Sequence, residues 1–178
     1  MLLEPIDNYC ERLTEGLFAE PLNALTNIAF FIAAWLLYKR YQEAGLKDSA
    51  IKGLIFCVAL VGAGSLAFHT FANTLTMWGD VLPIAIFVFF YLYVALRKLM
   101  NLSRGPAILG LAFFIAGCVM FMRSPAATSL NGSANYLPCL AAIIALYWNV
   151  RPKPQPSMPY LFKAVWVFTF SLIFRTMD

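Results

Sequence analysis

Three polar residues in otherwise apolar sequence, Ser65, His69 and Asp80, are the best candidates for chemistry in this chain. Ser65 and His69 are four residues apart near the end of an apolar run, so on a helix their side chains lie one above the other on the same face. Asp80 begins the next apolar run. Two adjacent helices would therefore bring a hydroxyl, an imidazole and a carboxylate together near one end of a helical bundle. In a membrane, ionisable groups at such depth are functional candidates by default.

These residue types allow more than one kind of site. A histidine with a carboxylate nearby can be a metal ligand, a proton relay or a packing residue. A catalytic zinc ion takes three protein ligands and leaves one position for water, and His69 is the only histidine in the chain. Asp80 could bind such a metal or take a proton from its water. Ser65 could donate a hydrogen bond to an oxyanion or bond only its own helix backbone.

The elements that carry these residues are those of an integral membrane protein. Hydrophobic residues make up 61% of the 178 residues, charged residues make up only 12%, and the mean hydropathy is +0.73. Ordinary soluble domains are less apolar than this. The net charge of +4 does not indicate nucleic-acid binding, because the basic residues lie in short loops rather than in one patch. We therefore expect a lipid bilayer as the surroundings and no nucleic-acid partner.

Six apolar runs of about 15 to 19 residues predict six transmembrane helices in an all-α membrane protein. A transmembrane β-barrel would instead show alternating segments of about ten residues. Residues 22–178 would form the helical bundle as a single domain, preceded by an acidic, extracytoplasmic segment, residues 1–21. The six runs are Leu22–Tyr38, Gly53–Phe71, Val81–Leu96, Ala107–Met122, Tyr136–Val150 and Tyr160–Phe174.

The distribution of Lys and Arg predicts that the N-terminus lies outside. Ten basic residues fall on one side of the predicted bundle and three on the other, and the side richer in Lys and Arg is the cytoplasmic one. His69 and Asp80 then lie near the outer face, on the same side as the acidic segment. The ten are Lys39, Arg40, Lys47, Lys52, Arg97, Lys98, Arg104, Arg151, Lys153 and Lys163, and the three are Arg12, Arg123 and Arg175.

The acidic segment contains five carboxylates and one base, Arg12. Such a segment is either a solvated surface or a calcium site, since Ca²⁺ prefers several carboxylate and carbonyl oxygens. Just after it, Asn23 and Asn27 would face one way on the first helix, where they would hydrogen bond to a neighbouring helix or act at the site. The five carboxylates belong to Glu4, Asp7, Glu11, Glu15 and Glu20.

Together these stretches resemble the alkaline ceramidase family, in particular its bacterial members. The matching segments keep their order and spacing through the acidic segment and the first three predicted helices. The family belongs to a larger group of seven-helix membrane hydrolases that includes the adiponectin receptors. The segments are Tyr9-Cys10-Glu11-Arg12, the run from Ala19 to Asn27, Ser65-x3-His69, and Asp80 eleven residues further on.

The resemblance implies a zinc-dependent amidase. In the family a zinc ion is held by three histidines, the first of which matches His69, and its bound water attacks the amide carbonyl of ceramide. The position that matches Ser65 is expected to stabilise the oxyanion, and the one that matches Asp80 is expected to act as general base. Some members also bind calcium through the acidic segment, and the matching positions here are Asp7, the carbonyl of Tyr9, Glu11 and Glu20.

The chain departs from the family in its histidines. The family's seventh helix carries the other two zinc ligands as His-x3-His, and this sequence contains no second histidine. Either this sequence is a truncated form that lacks the seventh helix, which we favour, or the protein has lost the metal site. In both cases we expect the 178-residue chain to bind zinc weakly and to be inactive. The complete form would hydrolyse the amide of ceramide or a related N-acyl lipid to a sphingoid base and a fatty acid. The alternative is a non-catalytic, lipid-binding or receptor-like bundle in which His69 and Asp80 form a structural pair.

Overall fold

Helices make up nearly all of the regular structure in the computed structural model, which describes residues 2–7, 9–14, 16–17, 19–152 and 156–177 and, for Asn131, only the backbone. Glu15 and Lys153, which entered the predictions above, lie outside the described residues. Within these ranges there are two short 3-10 helices and no β-strand, so the all-α prediction is confirmed for them. The α-helices are α1 (Pro21–Thr26), α2 (Ile28–Glu43), α3 (Ser49–Phe71), α4 (Thr74–Lys98), α5 (Arg104–Met122), α6 (Leu137–Val150) and α7 (Met158–Met177).

Among the residues that the structure describes, five helical spans are long and apolar enough to cross a membrane, judged by length and composition. The first span, Pro21–Glu43, consists of α1 and α2 together, and the others are α3, α4, α5 and α7. Each has 19 to 25 residues, which at 1.5 Å per residue spans roughly 28 to 38 Å and matches a hydrocarbon core of about 30 Å. Five of the six predicted runs thus lie in helices that fit a bilayer.

The fifth predicted run differs from the others. It forms α6, which has only 14 residues and is therefore about 21 Å long, short of the hydrocarbon core. Before it, residues 125–136 form the two 3-10 helices, where Leu130 has a φ of 55° and Gly132 a φ of 74°. A turn with two positive φ angles cannot continue an α-helix. The residues before Leu137 therefore do not lengthen α6 to the thickness of the hydrocarbon core.

The chain packs as two compact units, Met1–Tyr91 and Leu92–Asp178. In the first unit, α2 packs on α3 at Gly62, where an added Cβ would lie 2.7 Å from the Cβ of Phe30. Gly62 on α3 thus lets the two helices approach closely. In the second unit, buried apolar residues of α4, α5, α6 and α7 form the core: Leu92, Val94, Ala95, Ala107, Leu146, Val150 and Leu161.

Large apolar side chains remain exposed along the helices of both units. Trp35 is 62% exposed, Phe113 70% and Phe174 70%. Soluble monomers rarely expose such residues in large numbers, whereas acyl chains would cover them in a bilayer. The exposed surface therefore agrees with the membrane assignment.

Candidate functional site

The acidic N-terminal segment is hydrogen bonded to the connection between α3 and α4. The N–H of Ile6 donates to the carbonyl of Ala72 at 2.8 Å, and the N–H of Thr74 donates to the carbonyl of Glu4 at 3.3 Å. Ala72 ends α3 with a left-handed φ of 38°, which turns its carbonyl out of the helix so that it can accept this bond. The segment therefore lies next to His69, the basic residue in the last turn of α3.

Asn73 and Thr76 fix the start of α4 after this turn. The Asn73 Oδ1 accepts from the N–H of Thr76 at 3.0 Å, while the Thr76 Oγ1 accepts from the N–H of Asn73 at 3.2 Å. This reciprocal pair satisfies two backbone donors at the helix start, as in a capping box. These bonds fix where α4 begins, so Asp80 lies in the second turn of α4, close to the end of α3.

His69 is held by a buried chain of charged side chains. Its Nδ1 lies 2.5 Å from Glu20 Oε2, and the other oxygen of Glu20, Oε1, accepts from Arg12 Nε at 2.7 Å. Glu20 is 0% exposed and His69 is 7% exposed, and the Arg12 side chain is also buried. A buried carboxylate is costly unless it is paired, so the two partners explain how Glu20 can lie here.

The carboxylate determines which nitrogen of His69 carries a proton. An ionised carboxylate only accepts hydrogen bonds, so the atom of His69 that faces it must donate. Since Glu20 also forms an ion pair with Arg12, we assign the proton to Nδ1, which leaves Nε2 as the acceptor of the neutral ring. A metal-binding histidine is oriented in this way when its other nitrogen donates to a carboxylate.

Two aromatic rings close the sides of the imidazole. The Tyr9 ring meets His69 edge-on, with centroids 4.9 Å apart, and the Phe68 centroid lies 5.5 Å away. Tyr9 comes from the acidic segment and Phe68 from α3. The ring of His69 is therefore fixed by one hydrogen bond and two packing contacts.

Ser65 and Asp80 lie at a close contact between α3 and α4. Both are half-buried. A Cβ built on Gly64, next to Ser65, would lie 2.0 Å from the carbonyl oxygen of Gly79 and 3.2 Å from the Cα of Asp80. The backbones are therefore in direct contact at this level, and Asp80 lies beside the turn of α3 that contains Ser65.

Pro83 explains this close approach. It lies inside α4 and has no N–H, so it cannot form the helical bond to the carbonyl four residues earlier, that of Gly79. That carbonyl is the group that faces Gly64. One proline thus leaves a carbonyl free of its helical bond, and a glycine on the neighbouring helix leaves room for it.

The predicted calcium ligands have different surroundings. Asp7 is exposed. Glu11 accepts from the N–H groups of Leu22 at 2.5 Å and Asn23 at 3.0 Å, and so stabilises the start of α1. Glu20 immediately precedes α1 but makes no cap bond to it, because its carboxylate is used by Arg12 and His69. The calcium prediction itself stays a prediction.

The side chain of Asn27 makes a local hydrogen bond, and the expectation for the Asn23 side chain stays a prediction. The Nδ2 of Asn27 donates to the carbonyl of Asn23 at 2.8 Å, one turn earlier in the same chain. This local bond satisfies a carbonyl at the junction between α1 and α2, where the helix is interrupted. Asn27 is buried, so the interruption is covered by the surrounding protein.

The described residues do not fit a zinc site of the family type. They contain no group of three or more His, Cys, Asp or Glu side chains that could hold a metal ion. His69 contributes one nitrogen, and the whole sequence has no second histidine. A catalytic zinc takes three protein ligands, so this donor set is incomplete.

Glu20 and Arg12 were not predicted from the sequence as the partners of His69. Glu20 appeared only among the calcium ligands and Arg12 only as a lone base. A signal was present, because Glu20 directly precedes the first apolar run and Arg12 is the one base among five acids. Pairing across 49 residues, as between Glu20 and His69, cannot be deduced from spacing along the chain.

The helical spans indicate a multi-pass membrane protein. The buried, carboxylate-bound histidine marks a candidate site where α3 ends and α4 begins. A family model described as Ceramidase matches residues 6–177. The chain belongs to the ceramidase family, which confirms the resemblance seen in the sequence. No curated protein and no solved structure matches the chain. The family supports a membrane hydrolase that acts on amide bonds.

Proposed function

We propose that this bundle serves zinc-dependent hydrolysis of the amide of ceramide or a related N-acyl lipid, which yields a sphingoid base and a fatty acid. The observation that carries the proposal is the family match over residues 6–177 together with a buried, carboxylate-bound histidine at the end of α3. The exposed apolar helices suit a substrate whose acyl chains enter from the bilayer. The substrate and the bilayer are then the partners of this protein.

Each polar residue has a role in this proposal. The Ser65 hydroxyl would donate a hydrogen bond to the oxyanion that forms at the amide carbonyl. The Asp80 carboxylate would accept a proton from the attacking water. His69 would present Nε2 to the site, because Glu20 holds Nδ1. These roles require only side chains that lie on neighbouring turns of α3 and α4.

Zinc, when bound, would supply activation of water and polarisation of the carbonyl. The single histidine of this chain does not make a three-ligand set. We therefore expect the 178-residue chain by itself to bind zinc weakly and to show no turnover. In the proposed orientation the N-terminus and the site face outward, which means the periplasmic side of the inner membrane if the source is bacterial.

Lipid binding tests the proposed substrate without depending on zinc. The purified chain in detergent is titrated with a ceramide and with a diacylglycerol of the same acyl length, and binding is measured by native mass spectrometry. We expect ceramide to bind about five-fold more tightly, and Ser65→Ala to remove that preference through loss of a hydrogen bond to the amide carbonyl. Ser124→Ala is the matched control, because its hydroxyl bonds only the local carbonyl of Phe121. Equal binding of the two lipids would contradict the proposal.

Fatty-acid release and zinc content test the expected inactivity in the same preparation. Less than one equivalent of zinc and no release of fatty acid are expected. Stoichiometric zinc with amide turnover would overturn the expected inactivity and support the hydrolase.

A second candidate is a non-catalytic, lipid-binding or receptor-like bundle. This candidate is favoured by the incomplete metal donor set among the described residues and by the buried hydrogen bond between His69 and Glu20. The partner found for His69 Nδ1 is Glu20 rather than the Asp80 considered from the sequence. In this case Ser65→Ala and Asp80→Asn would lower stability, and Ser65→Ala would leave the preference for ceramide unchanged.

A further inference from the structure

The acidic segment has one cation of its own, and that cation lies in its most buried part. Four of its five acidic residues are among the described residues, and Arg12 is its single base. The sequence alone left two explanations for these carboxylates, a solvated surface and a calcium site. The surroundings of Glu20 and Glu11 support a third explanation.

Both oxygens of Glu20 have protein donors. Arg12 Nε lies 2.7 Å from Oε1, and His69 Nδ1 lies 2.5 Å from Oε2. With Glu20 at 0% exposure, water cannot balance its charge, so a cation must lie close to it. The Arg12 guanidinium meets that need, since it is charged at any pH the protein encounters.

Both oxygens of Glu11 also have protein donors, the N–H groups of Leu22 and Asn23. Two carboxylates that a calcium ion would use are therefore already bound to N–H groups. A divalent cation at Glu20 would also stand beside a guanidinium, and like charges repel strongly where water is excluded. The described residues include no cluster of three acidic or other metal-binding side chains.

We propose that Arg12 replaces a divalent cation in this protein: its guanidinium neutralises buried Glu20, ties the acidic segment to α1 and α3, and makes the segment independent of calcium. Arg12 is thus a positioning residue, which acts on His69 through Glu20. The inference does not depend on the hydrolase activity. A chain that only binds lipid would need the same internal cation.

Thermal unfolding of the purified full chain, with and without calcium, tests this proposal. For the wild type we expect the same melting temperature in 5 mM calcium chloride and in EGTA, to within about 1 °C. A calcium ion bound at a hundred times its Kd would raise the melting temperature by about 5 °C or more. Such a rise in the wild type would overturn the proposal. This comparison uses the wild-type protein alone, so it does not depend on whether a variant folds.

Variants of Arg12 provide the second arm. Arg12→Gln leaves Glu20 buried without its cation, so the melting temperature should fall by about 10 °C. Arg12→Lys keeps the charge and should recover at least half of that loss. Lys39→Gln is the matched control, because it removes one positive charge from the exposed pair with Glu43 at 3.9 Å and should shift the melting temperature by less than about 2 °C.

The calcium response of the variants separates a charge role from simple packing. If Arg12 acts as the cation, 5 mM calcium should restore part of the loss in Arg12→Gln and leave Arg12→Lys unchanged, whereas magnesium should have less effect because it demands a stricter geometry. Equal melting temperatures for Arg12→Gln and Lys39→Gln would overturn the proposal. So would an Arg12→Lys variant as unstable as Arg12→Gln that does not respond to calcium.

Discussion

The two compact units of the chain bury polar groups in different ways. In Met1–Tyr91 the buried polar residues are Glu20, Asn27 and His69, and two of them are joined to each other. In Leu92–Asp178, within the residues that the structure describes, the one buried polar residue is Ser133. Both units contain helices long enough to cross a membrane. The units therefore differ in what their cores contain rather than in their helices.

This difference shows where the chain accepts an energetic cost. A buried ion pair stabilises a protein little in net terms, because removing two charges from water offsets most of their attraction. An apolar core of the same volume would be at least as stable. The first unit nevertheless buries a carboxylate between an arginine and a histidine, which is the arrangement expected where chemistry requires a fixed imidazole.

The largest effect should come from removing Glu20, the carboxylate that lies between Arg12 and His69. Glu20→Ala leaves Arg12 and His69 buried without their shared partner, and we expect a loss of about 3 to 5 kcal/mol in the free energy of unfolding. Ser133→Ala is the counterpart in the second unit. The Ser133 hydroxyl is buried and has no hydrogen-bond partner among the described residues, so its removal should cost nothing or stabilise slightly.

Denaturant titration in detergent, followed by circular dichroism, measures both variants. Similar losses of unfolding free energy in Glu20→Ala and Ser133→Ala would contradict the difference between the buried polar groups of the two units.

A smaller loss is expected from Gly64→Ala. The added methyl group would meet the backbone oxygen and carbon of Gly79 at 2.0 and 2.8 Å, and a backbone cannot move aside as a flexible side chain can. We expect a loss of about 1 to 3 kcal/mol and a change in the position of Asp80 relative to α3. The same titration measures the stability.

Two glycines are matched controls for this variant. A Cβ on Gly79, in the same contact, or on Gly117, in the second unit, meets nothing within 4 Å. Since alanine favours a helix over glycine, these substitutions should be neutral or add up to about 1 kcal/mol. If Gly64→Ala were equally harmless, the close approach of α3 and α4 would be contradicted.

A third comparison concerns how helices begin in the two units. Glu11 accepts two hydrogen bonds from the first turn of α1, so Glu11→Ala should cost about 1 kcal/mol, as for a lost N-cap. Ser103 precedes α5 in the second unit and makes no side-chain cap bond. Ser103→Ala should therefore shift the melting temperature by less than Glu11→Ala does, and the reverse order would contradict the capping role of Glu11.

Much of the fold could be predicted from the sequence because apolar length is a strong signal. The helical class and five spans follow from runs that match the thickness of a bilayer. The run that forms α6 was already one of the two shortest, at 15 residues. What could not be foreseen is that the residues before it form 3-10 helices and do not lengthen the α-helix. Part of the site was also predictable, because polar residues are conspicuous within apolar runs.

Ser65, His69 and Asp80 stood out as polar groups in apolar sequence, and the spacing of Ser65 and His69 placed them on one face of α3. The role of Glu20 was not visible, since it depends on the acidic segment folding back over the end of α3. Pro83 and Gly64 likewise form one feature only when two helices meet, although each is plain in the sequence.

The state of the His69 ring tests the central claim most directly, because the chain contains one histidine and a ¹⁵N-histidine label therefore gives the signals of a single ring. The protein would be prepared with a tag that lacks histidine, and the nitrogen shifts recorded for the wild type and for Glu20→Gln. We predict that Nδ1 carries the proton in the wild type, and that the Nδ1 signal shifts when Glu20 is replaced. An unprotonated Nδ1 in the wild type, or spectra that do not change in Glu20→Gln, would contradict the account of a histidine fixed by a buried carboxylate.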